Sequence, residues 1–302
     1  MCIRDRAGRV KKKSISIFGV TGSVGSSTLE LLRQRKDEFE VVAITCNKNI
    51  ELLLDLAEEF NPKAIAVADA SFFLNLKERS RGDIKCYGGK EGLRDIANYK
   101  SDIVVASIVG LAGLDPLLNS IVSSSVIAIA NKECIVAAGS LITSHAVKNK
   151  CKIIPIDSEH NAIFQILDGK SNHDVSKIFL TASGGPFHGF TQDQLKLVTP
   201  AEAIKHPVWN MGMKISVDSA TLMNKGLEII EAHHLFGLES KKIQVIIHKQ
   251  SIIHGLALMN NGALLGYFGK PSMLNPIDHA LSWPICKNNE IDPISIDDLN
   301  NL

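Results

Sequence analysis

Two carboxylates stand two residues apart in Ile153-Ile154-Pro155-Ile156-Asp157-Ser158-Glu159-His160, just past an apolar stretch. Carboxylates this close together can share one cation, and all-oxygen donors favour a hard ion such as Mg²⁺ or Mn²⁺. Read as a continuation of an extended strand, the segment turns residues i and i+2 to the same face. A third acid must then come from elsewhere in the chain. Glu228 and Glu231 are the candidates, on the helical stretch Asn224-Lys225-Gly226-Leu227-Glu228-Ile229-Ile230-Glu231, where i, i+3 spacing brings both to nearby positions.

A second group has phosphate chemistry. Ser183-Gly184-Gly185-Pro186 follows a strand pattern and offers a hydroxyl and backbone donors. Ser219, Asn224 and Lys225 read as one helix's N-terminal end, where the dipole favours an anion. Together they suit a phosphomonoester. His206-Pro207-Val208-Trp209-Asn210-Met211-Gly212 is a loop interrupted by proline and glycine, the composition of a closing lid.

A third group points to a dinucleotide. Gly19-Val20-Thr21-Gly22-Ser23-Val24-Gly25 follows a strand and opens a helix, so its backbone N–H groups can approach a pyrophosphate. The next strand ends in Thr45-Cys46-Asn47-Lys48-Asn49, with a lysine and no carboxylate. An ammonium attracts a ribose 2′-phosphate that a carboxylate would repel, so NADP(H) is expected rather than NAD(H).

The elements that must position these groups follow from hydrophobic periodicity. Strand Ser14 to Phe18, helix Ser26 to Arg35, strand Glu40 to Thr45, helix Asn49 to Phe60 and strand Ala64 to Val67 alternate. Ile103 to Ala106 and Val126 to Ala130 are continuous apolar runs, as in strands buried on both faces of a parallel sheet. This predicts a doubly wound α/β domain. Beyond Asp157 the pattern changes to a strand at Lys177 to Thr181, a helix at Ala220 to Phe236, and strands Gln244 to Met259 and Ala263 to Phe268. The last two are divided by the hairpin signal Asn260-Asn261-Gly262, and the whole predicts an α+β domain. The expected division is a leader at 1–10, a cofactor-binding domain at 11–155, a catalytic domain at 156–290 and the start of a linker at 291–302.

Composition narrows the function. The 302 residues hold 33 Lys+Arg and 32 Asp+Glu, net +1, which removes the electrostatic case for a nucleic-acid partner. No apolar run approaches the length of a membrane-spanning helix. Six cysteines at 2, 46, 86, 134, 151 and 286 form no CxxC pair, so reduced thiols and a cytoplasmic setting are expected, or a plastid if the source is a plant or alga. Residues Met1 to Lys13 carry six basic residues and one acid, but no apolar stretch of a secretory signal follows.

Taken in order, these segments resemble the 1-deoxy-D-xylulose 5-phosphate reductoisomerase family. The resemblance is carried by the glycine turn, Ala130-Asn131-Lys132-Glu133, Ile156 to His160, Thr181 to Phe187, His206 to Gly212, Lys214 to Glu228 and His248 to His254, and runs from about Ser14 to Pro284. It implies NADPH-dependent rearrangement and reduction of 1-deoxy-D-xylulose 5-phosphate, a homodimer formed by the central domain, and a helical domain after residue 302 that this chain lacks. It implies Asp157, Glu159 and Glu228 as ligands of one Mg²⁺ or Mn²⁺, which chooses Glu228 over Glu231. Ser183, Ser219, Asn224 and Lys225 would hold the substrate phosphate, Ser158 and Lys132 its hydroxyl end, and His206 and Trp209 would lie on the closing loop. Lys132 and His206 join the three acids as expected catalytic residues. Cofactor contacts are expected at Thr21, Gly22, Ser23, Val24, Asn47, Lys48, Asn49, Asn131, Lys132, Glu133 and Gly212. Met213, where a basic residue is usual, and Lys249, where proline is usual, depart from the pattern. The rival readings are a metal-independent NADP-dependent dehydrogenase, which needs no carboxylate cluster, and a non-catalytic NADP-sensing module.

Overall fold

Seven strands, most of them rich in β-branched and small apolar residues, form a parallel sheet in the computed structural model, which describes residues 12–205, 209, 212–285 and 291–300. In chain order the elements are β1 (Lys13–Phe18), α1 (Ser23–Gln34), β2 (Phe39–Cys46), α2 (Ile50–Phe60), β3 (Ala64–Val67), α3 (Phe73–Arg79), β4 (Lys85–Gly88), α4 (Gly89–Ile96), β5 (Ser101–Ala106), α5 (Leu114–Ser123), β6 (Ser124–Ile129), α6 (Lys132–Asn149) and β7 (Lys152–Pro155). The sheet order is β4-β3-β2-β1-β5-β6-β7. Helices cover both faces, so the inner strands are buried on both sides, while edge strand β4 is only partly buried: Ile15, Ile17, Ile65 and Val105 belong to one core, Phe18, Ala43, Val104 and Ile127 to the other. The expected doubly wound domain is present. Its strand order reverses between β1 and β5, the switch point where such sheets place ligands.

The glycine turn lies at that point. Gly19 has φ +87°, and a Cβ there would sit 2.8 Å from the Ser107 carbonyl oxygen. A Cβ on Gly25 would meet the Val20 carbonyl oxygen at 2.5 Å. Gly22 is extended and serves as N-cap, so α1 begins at Ser23, three residues before the expected Ser26.

The chain continues through α7 (Ser158–Leu167), β8 (Val175–Ala182), α8 (Gln192–Leu195), α9 (Pro200–Ala203), α10 (Met213–Ala220), α11 (Met223–Phe236), β9 (Ile243–Ile247), β10 (Ile253–Met259), β11 (Leu264–Phe268), α12 (Leu274–Ser282) and α13 (Ile296–Asn300). The second sheet has the order β11-β10-β8-β9, with β8 and β9 parallel and the other pairs antiparallel. Two expectations are corrected here. Gln244 to Met259 is not one strand, because β8 lies between β9 and β10 and the chain must cross it through 248–252. Ala220 to Phe236 is not one helix, because Leu222 takes a left-handed conformation (φ +59°) and separates α10 from α11. The hairpin at Asn260-Asn261-Gly262 does form, with Gly262 at φ +84°.

Helices α7 and α11 cover one face of the second sheet, around Ile178, Leu180 and Ala257. Alternation sends Phe179, Leu256, Leu258, Leu264 and Phe268 to the other face, where Leu264 and Phe268 are exposed. Helix α12 lies inside the 156–290 span yet packs on the first sheet. Its Ile277, Ala280 and Leu281 share a core with Ile15, Leu29 and Leu32.

Helices α6 and α11 pack closely, and one glycine permits it. A Cβ on Gly139 would collide with the ring root of His234. Gly139→Ala should therefore destabilise the protein by about 1–3 kcal/mol through overpacking. Urea unfolding of Gly139→Ala alone and with His234→Ala checks this: the second change should recover most of the loss, and no recovery would place the strain elsewhere.

Cys46, Cys86, Cys134 and Cys151 are free thiols, as expected. No helix among the described residues is long and apolar enough to cross a membrane.

Candidate functional site

A cavity of about 370 Å³ opens where the carboxyl ends of the first sheet meet α11 and the second sheet. Ser23 and Val24 from α1, Lys132 from α6, and Asp157, Ser158 and Glu159 at the start of α7 line it. So do Ser183, Trp209, Gly212, Ser219, and the α11 residues Asn224, Lys225 and Glu228. Three predicted groups, from segments far apart in sequence, thus converge on one space.

The two neighbouring acids reach it by a geometry other than the expected one. Strand β7 stops at Pro155, Asp157 is the N-cap of α7, and Glu159 lies in that helix's first turn. Their meeting owes nothing to strand alternation. An N-cap faces the end of its helix while the first turn wraps round it, so both side chains stay at the α7 N-terminus. The phosphate group needs a similar correction. Ser219 closes α10, and only Asn224 and Lys225 sit in the first turn of α11.

Two buried lysines tie the acids together. Lys132 Nζ forms an ion pair with Asp157, lies 3.2 Å from Glu228 Oε1, and donates to Asn224 Oδ1 at 2.8 Å. Lys225 Nζ donates to Glu159 Oε1 at 2.7 Å and to the Thr181 carbonyl at 2.5 Å, and also pairs with Glu228. Ser158 Oγ donates to Glu159 Oε2 at 2.6 Å. Burial alone would push both ammoniums down; Asp157 and Glu228 facing Lys132, and Glu159 and Glu228 facing Lys225, outweigh it and hold both above the ordinary lysine value. Burial would also raise Glu159, but the Lys225 ammonium holds it well below the carboxylate range. Glu228 goes the other way. Burial, reinforced by the Glu159 charge, raises it to about 7 despite both lysines.

Three carboxyl groups face two ammoniums, so with all three ionised the cluster carries one net negative charge. A buried net anion of oxygen donors is a fitting environment for a divalent cation. Among the described residues, Asp157, His160 and Glu228 present ligand atoms within 4.8 Å of one another. Glu159, bonded by Lys225 and Ser158, is not in that group. Buried His160 Nδ1 and Glu231 Oε2 make no hydrogen bond, while Asp157 Oδ2 has only the Lys132 ammonium beside it.

Glu231 is fully buried, 3.7 Å from His160 Nε2 and not among the cavity-lining residues. Burial raises its carboxyl to about 7, with His160 opposing. A carboxyl raised above its unfolded value stabilises below the unfolded value, and that contribution is lost as pH rises towards the folded one. Glu231→Gln should therefore gain stability relative to wild type as pH rises from 5 to 8, by up to about 3 kcal/mol. Melting temperatures in chelator at pH 5 and pH 8 measure it, and an equal difference at both would show that Glu231 does not titrate there.

Other predicted residues have different surroundings. Lys48 lies at the end of β2 with its side chain 64% exposed, 3.6 Å from Asp69 Oδ2; the fold brings a carboxylate from beyond β3 that local sequence did not show. Asn49 caps α2, accepting from the Leu52 N–H. Asn131 caps α6, and its amide donates to the Ile108 and Gly110 carbonyls. Glu133 pairs with Lys214 at the start of α10. Thr21 and Gly22 are in the glycine turn, outside the cavity lining. His206 lies outside the described residues. Trp209 is half-buried and meets the His254 ring edge-on at 6.2 Å. Met213 is exposed and Lys249 lies in the exposed turn between β9 and β10; nothing in the structure explains either departure.

Ser251, His254 and Pro271 to Met273 also line the cavity and had no expected role. His254 stood in a recognised segment. Pro271 to Met273 carry no chemical motif, and only the packing of α12 brings them in.

Comparison with known proteins agrees across the chain. The family model described as 1-deoxy-D-xylulose 5-phosphate reductoisomerase matches residues 15–139, and the model of that enzyme's C-terminal domain matches 153–236. A reductoisomerase of this kind from Clostridium perfringens strain 13 is 50% identical over 281 residues, covering 92% of this chain and 73% of that protein. One from Clostridium tetani is 45% identical over 294 residues, covering 96% and 77%. A solved reductoisomerase in complex with NADPH, fosmidomycin and magnesium superimposes with a TM-score of 0.90 at 40% identity, over 94% of this chain and 73% of its own. The Zymomonas mobilis enzyme with NADPH gives 0.88 at 38% identity, over 96% and 76%. A hyperthermophilic archaeal homoserine dehydrogenase, 14% identical with a TM-score of 0.57, shares the fold alone.

Proposed function

The chain belongs to the 1-deoxy-D-xylulose 5-phosphate reductoisomerase family, and from that premise we propose how its own residues divide the work. The reaction is the NADPH- and divalent-metal-dependent rearrangement and reduction of 1-deoxy-D-xylulose 5-phosphate to 2-C-methyl-D-erythritol 4-phosphate. The observation that carries the assignment is the buried acid–lysine cluster sharing one cavity with the glycine-turn helix.

Asp157, Glu159 and Glu228 hold the cation. When bound, the ion supplies Lewis acidity to the substrate's oxygens and NADPH supplies the hydride. The glycine turn and the N-terminus of α1 receive the dinucleotide pyrophosphate. Ser183, Ser219, Asn224 and Lys225 take the substrate phosphate, and this remote binding orients the reacting carbons. Lys225 exchanges its carboxylate partners for that phosphate once a cation neutralises the acids. Lys132 and Ser158 stand at the substrate's hydroxyl end. The loop carrying His206 and Trp209 closes over the site and excludes water. A second copy of the chain packs on the apolar outer face of the second sheet, around Leu264 and Phe268; this homodimer is supported by the exposure of those side chains.

The direct test follows NADPH oxidation with 1-deoxy-D-xylulose 5-phosphate, with and without Mg²⁺ or Mn²⁺. Oxidation only with metal is expected; equal rates in chelator would overturn the metal assignment. Lys48→Glu should move preference from NADPH towards NADH, because the new carboxylate repels the 2′-phosphate and can accept from a 2′-hydroxyl. Unchanged NADPH affinity in that variant would show that Lys48 serves only its contact with Asp69.

A further inference from the structure

Helices α1 and α12 run side by side with their N-terminal ends at the cavity, α1 through Ser23 and Val24, α12 through the preceding Pro271 to Met273. Their far ends are bonded together. Arg35, the C-cap residue of α1, donates from Nη1 to Asp278 Oδ1 at 2.5 Å and to Ser282 Oγ at 3.1 Å, and from Nη2 to Glu38 at 2.7 Å. Its guanidinium also lies over the Phe39 ring, 4.9 Å from the centroid. The Arg35 and Asp278 side chains are only 7% and 10% exposed. Lys13, at the start of β1, reaches the last carbonyls of α12, those of Leu281 (3.3 Å), Ser282 (3.5 Å) and Trp283 (3.2 Å). There its charge also complements the helix dipole. On its other side α12 is tied to α7, where Asn161 Nδ2 donates to the Pro155 carbonyl at 2.8 Å and lies 3.1 Å from His279 Nδ1.

A buried ion pair is a poor source of stability compared with apolar side chains of the same volume. What a bonded pair adds is direction: Arg35 permits one register of α12 along α1. That register decides where Met273 stands relative to the glycine turn, and the tie to α7 connects it with the helix that begins at Asp157.

We propose that Arg35 and Lys13 are positioning residues that hold α12 in register, fixing the distance between the dinucleotide end of the cavity and its acid cluster. The inference rests on the functional reading above. It makes one catalytic geometry depend on residues at the opposite end of two helices from the cavity.

The test compares wild type with Arg35→Met, Arg35→Lys and Lys13→Met by NADPH titration, steady-state kinetics, thermal unfolding and hydrogen exchange of residues 274–282. In Arg35→Met and Lys13→Met, well below the melting temperature, kcat should fall about 10- to 100-fold while NADPH Kd stays within about twofold, as for a displaced but intact site. Exchange across 274–282 should quicken. Arg35→Lys, which keeps the charge, should fall between. A lower melting temperature with unchanged kcat would reduce the clamp to a structural role and overturn the proposal, as would NADPH affinity lost in step with kcat. If Arg35→Met fails to fold, Lys13→Met decides. An inactive wild type would refute the functional reading, while the exchange of α12 still judges the clamp.

Discussion

Asp157→Asn should lower metal-dependent turnover by roughly 100-fold or more, the scale of losing several kcal/mol of Lewis-acid stabilisation, and leave NADPH affinity near wild type. The substitution is chosen for what it preserves. Asp157 makes no side-chain cap bond to α7, so the substitution removes none and α7 should still start at Ser158. The glycine turn belongs to α1 and shares no bond with Asp157. Calorimetric titration with Mn²⁺, NADPH titration and steady-state kinetics on one preparation separate the effects. Loss of NADPH affinity equal to the loss of turnover would remove Asp157 from the metal site.

The second large effect is expected at Lys225. Its ammonium bonds Glu159 and Glu228 at once, so Lys225→Met leaves two buried carboxylates facing each other. Removing one partner of a buried pair costs about 3–5 kcal/mol, and the metal-free variant should unfold far more readily than wild type. A divalent cation supplies the missing positive charge. Mg²⁺ should therefore raise the melting temperature of the variant more than that of wild type, while KM for the phosphorylated substrate stays high. Equal Mg²⁺ effects on both proteins would show that the lysine and the cation do not occupy the same electrostatic place.

The sequence was most informative where a single residue type is forced by geometry. Gly19 and Gly25 sit where a Cβ would strike backbone carbonyls, and the spacing of those glycines announced both the turn and the cofactor. The acids were legible as a type but not as a shape. Nothing in the apolar run Ile153 to Ile156 signals its end except Pro155, so Asp157 reads as strand although aspartate is also a strong helix cap. The break at Leu222 and the crossing at 248–252 were hidden for a related reason. Neither contains glycine or proline, and tertiary packing holds Leu222 and Ser251 in left-handed conformations that local preference disfavours. The pairing of Lys132 with Asp157 and of Lys225 with Glu159 joins residues 25 and 66 positions apart, and no local pattern encodes it. Lys225 accordingly read as a phosphate ligand alone.

The place of α12 on the first sheet has a consequence for the order in which the protein is made. The face that includes Ile15, Leu29 and Leu32 is completed by Ile277, Ala280 and Leu281, which leave the ribosome long after β1. At about 5–20 residues per second the interval is roughly 13–50 s. In the later part of that time, once β7 has ended at Pro155, the cofactor-binding sheet has its glycine turn and all seven strands but an uncovered apolar groove. A nascent chain stopped short of Leu274 should therefore be a substrate for chaperones or prone to aggregation, although every strand of its first sheet has already been synthesised.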